Sequence, residues 1–172
     1  GRTLFVAKVL VVEGVSAMKT PRVIAAFQRE AALMCRLWAQ DVVPTRVVRI
    51  EGVCFDTHNP VLVMEHAAQG TLRSWLDANV QALGRPGAQL EQQNVDLRLR
   101  MLCDIALGMS ELYSCTPPIV HRDLKSSNVL VNGNGDCLVA DFGLSKTVGG
   151  MDDVSLTATG QRAIGTPQWS AP

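Results

Sequence analysis

A hairpin signal between two polar motifs is the feature that most constrains this chain. Short β-prone runs at 128–131 and 136–140 flank the sequence Asn-Gly-Asn-Gly at 132–135, which favours a tight turn. The motif His-Arg-Asp-Leu-Lys-Ser-Ser-Asn precedes it at 121–128, and Asp-Phe-Gly follows it at 141–143. Carboxylates, an ammonium group and an amide therefore lie on two loops about one short hairpin apart. Such groups can position a hydroxyl nucleophile and hold metal ions against a nucleotide phosphate.

The N-terminal part of the chain predicts strands around one helix. Residues 3–12 are β-branched and apolar with a single lysine, so they predict a buried strand. Thr20 and Pro21 are typical of an N-cap and a first helical position. Two further β-prone runs, at 46–51 and 60–65, predict two more strands.

The predicted helix carries a charge on its apolar face. Residues at steps of three and four on that face are Val23, Phe27, Glu30, Met34 and Leu37. An inward carboxylate needs a partner, because a buried unpaired charge is costly. Lys8, the only charge in its apolar strand, is the candidate partner, and the alternative is that Glu30 lies at the exposed edge of the face.

The second half of the chain predicts helices before the two motifs. Thr71 is predicted to cap a short helix. Residues 78–94 contain two glycines and a proline, and predict a mobile surface loop. A core-facing stripe of a further helix is predicted at Leu102, Ile105, Met109 and Leu112. The segment 144–162, rich in Gly, Ser, Thr and Asp, predicts a flexible loop.

Composition excludes several classes of protein. The chain has 16 basic and 16 acidic residues, which argues against an electrostatic nucleic-acid binder. No apolar run approaches the roughly 18 residues of a membrane span. The cysteines lack metal-site or disulfide spacing and are predicted to be reduced and mostly buried; they are Cys35, Cys54, Cys103, Cys115 and Cys137.

Together the two motifs resemble the catalytic loop and the metal-binding loop of eukaryotic protein kinases. The resemblance covers nearly the whole chain and implies an α+β, bilobal kinase-like fold. It implies a partial small lobe at 1–66, without its first strands, and a partial large lobe at 67–172, without its C-terminal helices. Because a complete kinase domain is longer than these 172 residues, the isolated chain is expected to be poorly stable and inactive.

The resemblance implies roles for the motif residues. Asp123 would orient the substrate hydroxyl and accept its proton, and Lys125 would steady the γ-phosphate of ATP. Asn128 and Asp141 would hold Mg²⁺ through hard oxygen ligands. Taken singly, Asp123 and Asp141 could be turn or N-cap aspartates and Lys8 a strand-edge lysine. Their combination at this spacing favours the catalytic interpretation.

The resemblance also implies a nucleotide pocket. Lys8, held by Glu30, would contact the α- and β-phosphates. Residues 63–67 resemble the strand end and hinge between two lobes. The adenine would lie between Val6 and Leu130, beside Met64, with hydrogen bonds to the backbone of Glu65 and Ala67. A regulatory hydrophobic stack would be formed by Met34, His121 and Phe142.

The remaining matches concern specificity and regulation. Lys125 with Thr166 matches serine/threonine kinases, and the wording of 121–128 and 165–169 most resembles Raf-like and mixed-lineage kinases of the tyrosine-kinase-like group. Arg122 could pair with a phosphate on the activation segment. The acceptors would be Ser155, Thr157 and Thr159, phosphorylated by an upstream kinase or by the protein itself.

These features predict an ATP- and Mg²⁺-dependent kinase acting on Ser/Thr of protein substrates in signal transduction. We expect a cytoplasmic catalytic domain, and attachment to a membrane protein outside these residues stays open. The alternative is a pseudokinase-like scaffold, which usually lacks one of the residues matched by Lys8, Asp123 and Asp141. A P-loop NTPase is excluded because the chain has no G-x-x-x-x-G-K-[ST] motif.

Overall fold

The computed structural model describes residues 4–11, 20–55, 59–83 and 88–147. These residues form, in order, β1 (Phe5–Val9), α1 (Thr20–Trp38), β2 (Ile50–Cys54), β3 (Val61–Glu65), α2 (Leu72–Leu83), α3 (Ala88–Tyr113), β4 (Ile119–Val120), a 3₁₀ turn (Ser126–Asn128), β5 (Val129–Val131), β6 (Cys137–Val139) and β7 (Lys146–Thr147). A strand-rich part thus precedes a helical part, which confirms the predicted α+β composition.

The first part is an antiparallel sheet in the order β1-β3-β2, packed against α1. In its register Val6 lies opposite Met64, and Lys8 lies opposite Leu62. The predicted apolar face of α1 supplies Phe27, Met34 and other residues to the main buried cluster. Burial of each large apolar side chain contributes about 1.5–3 kcal/mol.

Two strand predictions need correction. Among the described residues of the strand predicted at 3–12, only those of β1 form a strand. That strand is largely exposed, because it pairs with β3 alone and lies at the sheet edge. The strand predicted at 46–51 begins only at Ile50. Residues 46–48 instead run beside β6, where the Val48 amide donates to the Val139 carbonyl oxygen over 2.9 Å.

The loop predicted at 78–94 is also wrong over most of its length. The helix α2 extends to Leu83 and α3 begins at Ala88. Alanine, leucine, glutamine and glutamate favour helix on both sides, and the helix breakers fall within 84–87, outside the described residues. The cap prediction is confirmed, since the Ser74 amide donates to Thr71 Oγ1 at 3.1 Å.

The predicted core stripe of α3 is wrong at one position. Leu102 is 61% exposed, whereas Met101 is 4% exposed and takes the inward place. The inward face also includes Asp104 and Gly108. Because one of these is charged and the other has no side chain, hydrophobic periodicity does not identify this face.

The hairpin that motivated the sequence interpretation is present. Strands β5 and β6 pair with Val129 opposite Val139 and Val131 opposite Cys137. Gly135 has φ 86°, a conformation that favours glycine. The loop predicted at 144–162 is wrong at Lys146–Thr147, which form β7 and pair with β4 because backbone groups there find partners at Ile119 and Val120. Residues 148–162 lie outside the described part.

All five cysteines are unpaired, as predicted, but they are not mostly buried. Cys35, Cys54 and Cys103 are exposed because they lie on outward positions of α1, β2 and α3. Cys115 and Cys137 are buried, and burial raises the pKa of the Cys137 thiol to about 11. Among the described helices, none has the length and apolar character that crossing a bilayer requires.

Candidate active site

Lys8 on β1 lies between two carboxylates from distant parts of the chain. Its Nζ is 2.6 Å from Glu30 Oε1 and 3.3 Å from Asp141 Oδ1. The Glu30 side chain is only 6% exposed, so the ion pair offsets the cost of burying it. Burial lowers the pKa of Lys8, but the hydrogen bond and charge of Glu30, helped by Asp141, outweigh burial and raise it. The predicted Lys8–Glu30 pair is therefore present, with a charged ammonium group.

Asp123 is held by Lys125 and Asn128, the two residues of its motif that are predicted to act with it. Its Oδ2 accepts hydrogen bonds from Lys125 Nζ at 2.8 Å and from Asn128 Nδ2 at 2.9 Å. Asn128 Nδ2 also donates to the Asp123 carbonyl oxygen at 2.9 Å. The 3₁₀ turn Ser126–Asn128 brings the amide back to the aspartate. The carboxylate orientation is thus fixed by local hydrogen bonds.

Both motifs contain a residue in left-handed backbone conformation. Arg122 has φ 64° and Asp141 has φ 65°, which costs about 1 kcal/mol or more for each non-glycine residue. Tertiary hydrogen bonds hold this region: Arg122 Nε donates to the Leu144 carbonyl oxygen at 2.7 Å. A second bond runs from Ser145 Oγ to the His121 carbonyl oxygen at 3.1 Å. The first motif is therefore tied to the two residues that follow the second motif.

His121 is a fully buried part of this tie. The Asp123 amide donates to His121 Nδ1 at 3.3 Å, so Nε2 carries the proton and donates to the Ala140 carbonyl oxygen at 2.9 Å. Burial lowers the pKa of His121, so the ring is neutral at pH 7. Its ring centroid lies 5.4 Å from that of Phe142. Phe142 and Met34 belong to the same buried cluster.

The residues predicted around adenine are divided between two sheets. Val6 and Met64 are opposite each other on β1 and β3, whereas Leu130 lies on the β5–β6 hairpin. The Glu65 amide donates to the Arg49 carbonyl oxygen at 2.9 Å. Any backbone hydrogen bond between Glu65 and a ligand would therefore use the Glu65 carbonyl oxygen as the acceptor. Ala67 is the second residue after β3 and is partly buried.

The motif oxygens suit a hard divalent cation. Asn128 uses its amide nitrogen to hold Asp123, so Asn128 Oδ1 can serve as a metal ligand. The Asp141 side chain is about half exposed, and only its Oδ1 contacts Lys8. Carboxylate and amide oxygens are the ligands that Mg²⁺ prefers. The residues present therefore fit the predicted metal.

A basic cavity beside the motifs was not predicted. It has a volume of about 410 Å³, and its basic lining residues are Arg29, Arg36, Arg122 and Lys146. Arg36 Nε and Nη2 are buried without a hydrogen-bond partner among the described residues. A signal was present in the sequence, since Arg29 and Arg36 are seven residues apart and share one face of α1. The predicted acceptors Ser155, Thr157 and Thr159, and also Thr166, lie outside the described residues.

Comparison with known proteins shows which family the chain resembles. Residues 7–172 match the model of the protein tyrosine and serine/threonine kinase family. The serine/threonine-protein kinase CTR1 of Arabidopsis thaliana is 37% identical over 146 residues, which are 85% of this chain and 16% of CTR1. The mouse serine/threonine-protein kinase TNNI3K is 31% identical over 147 residues, 85% of this chain and 15% of that protein. A probable serine/threonine-protein kinase of Dictyostelium discoideum is 33% identical over 126 residues, 73% of this chain and 11% of that protein.

The chain belongs to the protein tyrosine and serine/threonine kinase family, because the family match covers nearly all of it. The matched part spans no more than 16% of the length of these three relatives.

Proposed function

We propose that this chain is the catalytic part of a protein serine/threonine kinase that transfers the γ-phosphate of ATP to protein substrates in signal transduction. The observation that carries the proposal is the position of Lys8 Nζ between Glu30 and Asp141, 22 and 133 residues away in sequence. The fold brings a cation next to the Asp-Phe-Gly carboxylate, which supports a phosphate-binding role for Lys8. A pseudokinase-like scaffold would not need this charge arrangement.

Asp123 is the proposed general base. Its carboxylate is oriented by Lys125 and Asn128 before any substrate binds. The substrate hydroxyl oxygen attacks the γ-phosphorus, the bond between that phosphorus and the ADP oxygen breaks, and the hydroxyl proton passes to Asp123. Lys125, 2.8 Å from the same carboxylate, neutralises charge on the transferred phosphoryl group.

Lys8 is proposed to bind the α- and β-phosphates while Glu30 fixes its position. In the structure Asp141 contacts Lys8 Nζ, and a nucleotide phosphate would take part of that interaction. Asn128 and Asp141 would hold Mg²⁺, which neutralises phosphate charge when bound. Lys8 and Asp141, which are 3.3 Å apart, would both act on the charge of the nucleotide phosphates, Lys8 directly and Asp141 through the metal.

The adenine is proposed to bind between two lobes, divided at residues 1–66 and 67–172. Val6 and Met64 would line it from the first lobe, and Leu130 from the second. The Glu65 carbonyl and the Ala67 backbone would hydrogen-bond the ring. We place this catalytic part on the cytoplasmic side of any membrane to which the whole protein is attached.

Phosphoryl transfer to a mixture of peptides containing Ser, Thr and Tyr tests the proposal. The full-length protein should label Ser and Thr from ATP in the presence of Mg²⁺, and Asp141→Asn should abolish the labelling. Arg73→Met, which removes an exposed pair with Asp77 on α2, is the matched control and should retain activity. A folded wild-type protein that transfers no phosphate would favour the scaffold, and labelling confined to Tyr would contradict the Ser/Thr assignment.

The basic cavity supports a proposal about regulation. Phosphorylation of Ser155, Thr157 or Thr159 would supply a dianion that pairs with Arg122 and its basic neighbours. Arg36 would contribute two donors that have no partner among the described residues. Replacing all three acceptors with Ala should lower activity, and Arg36→Met should weaken activation by phosphorylation while Arg73→Met does not. Unchanged activity of the triple variant would refute this regulation.

A further inference from the structure

Arg46 lies between α1 and β2 and is bonded to both α3 and β6. Its carbonyl oxygen accepts a hydrogen bond from the Val139 amide at 2.8 Å, and its amide donates to Glu111 Oε2 at 2.9 Å. A Cβ at Gly108 would lie 2.5 Å from the Arg46 carbonyl oxygen, so α3 approaches this residue without a side chain between them. The backbone of Arg46 is therefore fixed to both α3 and β6.

The side chain of Arg46 extends the same connection through a buried charge. Arg46 Nε lies 2.6 Å from Asp104 Oδ1 on α3. The other oxygen of Asp104 accepts a hydrogen bond from the Cys137 amide at 3.0 Å, at the start of β6. Arg46 Nη2 also lies 3.8 Å from Asp136 Oδ1 in the hairpin turn. Because Asp104 is buried, its interaction with Arg46 resists separation of α3 and β6 from residues 45–48.

Further hydrogen bonds link the surroundings of Arg46 to the proposed catalytic groups, on one side through β6 and on the other side through α1. Beyond β6, the Ala140 amide donates to the Asn128 carbonyl oxygen at 2.9 Å, and Asp141 is the next residue. In the other direction, Trp38 Nε1 donates to the Val48 carbonyl oxygen at 3.2 Å. Trp38 ends α1, the helix that carries Glu30. A shift at Arg46 would therefore change the position of Glu30 relative to Asp141.

We propose that Arg46 is a positioning residue for phosphoryl transfer, acting through its ion pair with Asp104. The pair holds the α1 side, which presents Glu30 and Lys8, in register with the hairpin that presents Asn128 and Asp141. This inference rests on the proposed kinase function. Since the reacting groups are positioned from both sides, loosening the pair lowers the rate of the chemical step more than the affinity for ATP.

Steady-state kinetics of the full-length protein test this role. Arg46→Met keeps much of the side-chain volume but removes the charge, and should lower kcat about tenfold while the KM for ATP changes less than about twofold. Arg46→Lys keeps a cation facing Asp104 and should recover most of the loss. Arg73→Met, which removes an exposed ion pair on α2, should change neither constant. All variants are measured at a temperature where thermal unfolding shows them fully folded.

The outcomes separate this proposal from the kinase function itself. An unchanged kcat in Arg46→Met, a loss that appears only in KM, or a loss that Arg46→Lys does not reduce would overturn the positioning role while leaving the kinase function intact. If Arg46→Met does not fold, Asp104→Asn decides, because it keeps a side-chain acceptor for the Cys137 amide and removes the charge. The same tenfold loss is expected, and an unchanged kcat overturns the proposal. Absence of transfer by the wild-type protein would refute the proposed function and, with it, this role.

Discussion

Lys8 shows at the scale of one residue how burial and charge define the proposed site. Its ammonium group faces Glu30 at 2.6 Å and Asp141 at 3.3 Å, and the first of these carboxylates is almost fully buried. The pKa of Lys8 is raised because its two ion-pair partners outweigh the effect of burial. The lysine therefore remains a cation throughout the physiological pH range, as phosphate binding requires.

Combining Lys8→Met with Glu30→Gln should show that the effect of Lys8 on stability is separate from its effect on activity. The single variant leaves the Glu30 carboxylate buried without its partner, and should destabilise the protein by about 2 kcal/mol, less than for a fully buried pair because Lys8 is 38% exposed. Lys8→Met with Glu30→Gln should recover most of that stability, since no buried charge is left unpaired. Thermal unfolding of the single and the double variant measures this loss and recovery of stability.

Phosphate transfer should not recover in the same double variant, because the cation proposed to bind the α- and β-phosphates is absent. We expect both the single and the double variant to lose at least about a hundredfold in transfer rate. Full transfer by the double variant would contradict the role of Lys8.

His121 predicts a pH dependence of stability. Its pKa in the folded protein is lowered by burial, whereas the unfolded chain has the ordinary histidine value of about 6.5. As the pH falls below about 6.5, the unfolded state therefore binds a proton that the folded state resists, and the stability present above that pH is progressively lost.

Chemical unfolding at several pH values between about 7 and 5.5 tests this pH dependence. The fall in unfolding free energy should be smaller in His121→Gln, which has no titrating ring but keeps an amide donor for Ala140. His66→Gln, at an exposed histidine, should behave like the wild type. Equal slopes in all three proteins would contradict the buried, neutral state of His121.

The residue-scale prediction from sequence succeeded where a residue carried an anomaly. Glu30 interrupts an apolar helical face and Lys8 interrupts an apolar strand, so each indicated a need for the other. Nothing comparable marked His121 as the acceptor for the Asp123 amide, because that contact depends on the turn geometry around Arg122. The spacing of Arg29 and Arg36 indicated a basic face of α1, but not that two Arg36 nitrogens are buried.

At the scale of elements, α3 is positioned by residues that hydrophobic periodicity cannot identify. Its inward face contains Asp104, which bonds Arg46 and Cys137, and Gly108, which allows close approach of Arg46 and Val139. The apolar pattern therefore placed Leu102 inside. The hairpin between β5 and β6 was predictable because its Asn-Gly turn residues specify the structure locally.

Neighbouring residues of α3 give a matched test of its orientation. Met101→Ala should destabilise the protein by about 2–4 kcal/mol, because it leaves a cavity in a second cluster of buried residues, which also contains Val129 and Val131. Leu102→Ala should cost less than about 1 kcal/mol, since that side chain is 61% exposed. Chemical unfolding measures both, and a larger loss for Leu102→Ala would contradict the helix orientation.

At the scale of the whole molecule, several large apolar side chains are exposed. Phe5 is 51% exposed on β1, Leu102 is 61% exposed on α3, and Val42 is 82% exposed after α1. Exposed apolar side chains that form contiguous patches mark surfaces that associate with other protein. The described surface therefore presents apolar side chains on β1, on α3 and after α1 that can associate with other protein.

The isolated 172-residue polypeptide should therefore self-associate at micromolar concentration. Light scattering combined with size-exclusion chromatography measures its mass, and replacing Leu99 and Leu102 with Gln should shift the distribution towards monomer. A wild-type polypeptide that is monomeric and unfolds in one sharp transition would contradict this expectation.

In the proposed reaction of the whole molecule, Asp123 accepts the proton of the substrate hydroxyl. The most direct measurement is the transfer rate at saturating ATP for the full-length wild-type protein and for Asp123→Asn, together with the KM for ATP. Asparagine keeps the shape of the side chain but cannot act as the base, so we predict a loss of about 10²–10⁴ in rate and a KM within about twofold. Equal rates for the two proteins would contradict the role of Asp123 as the general base.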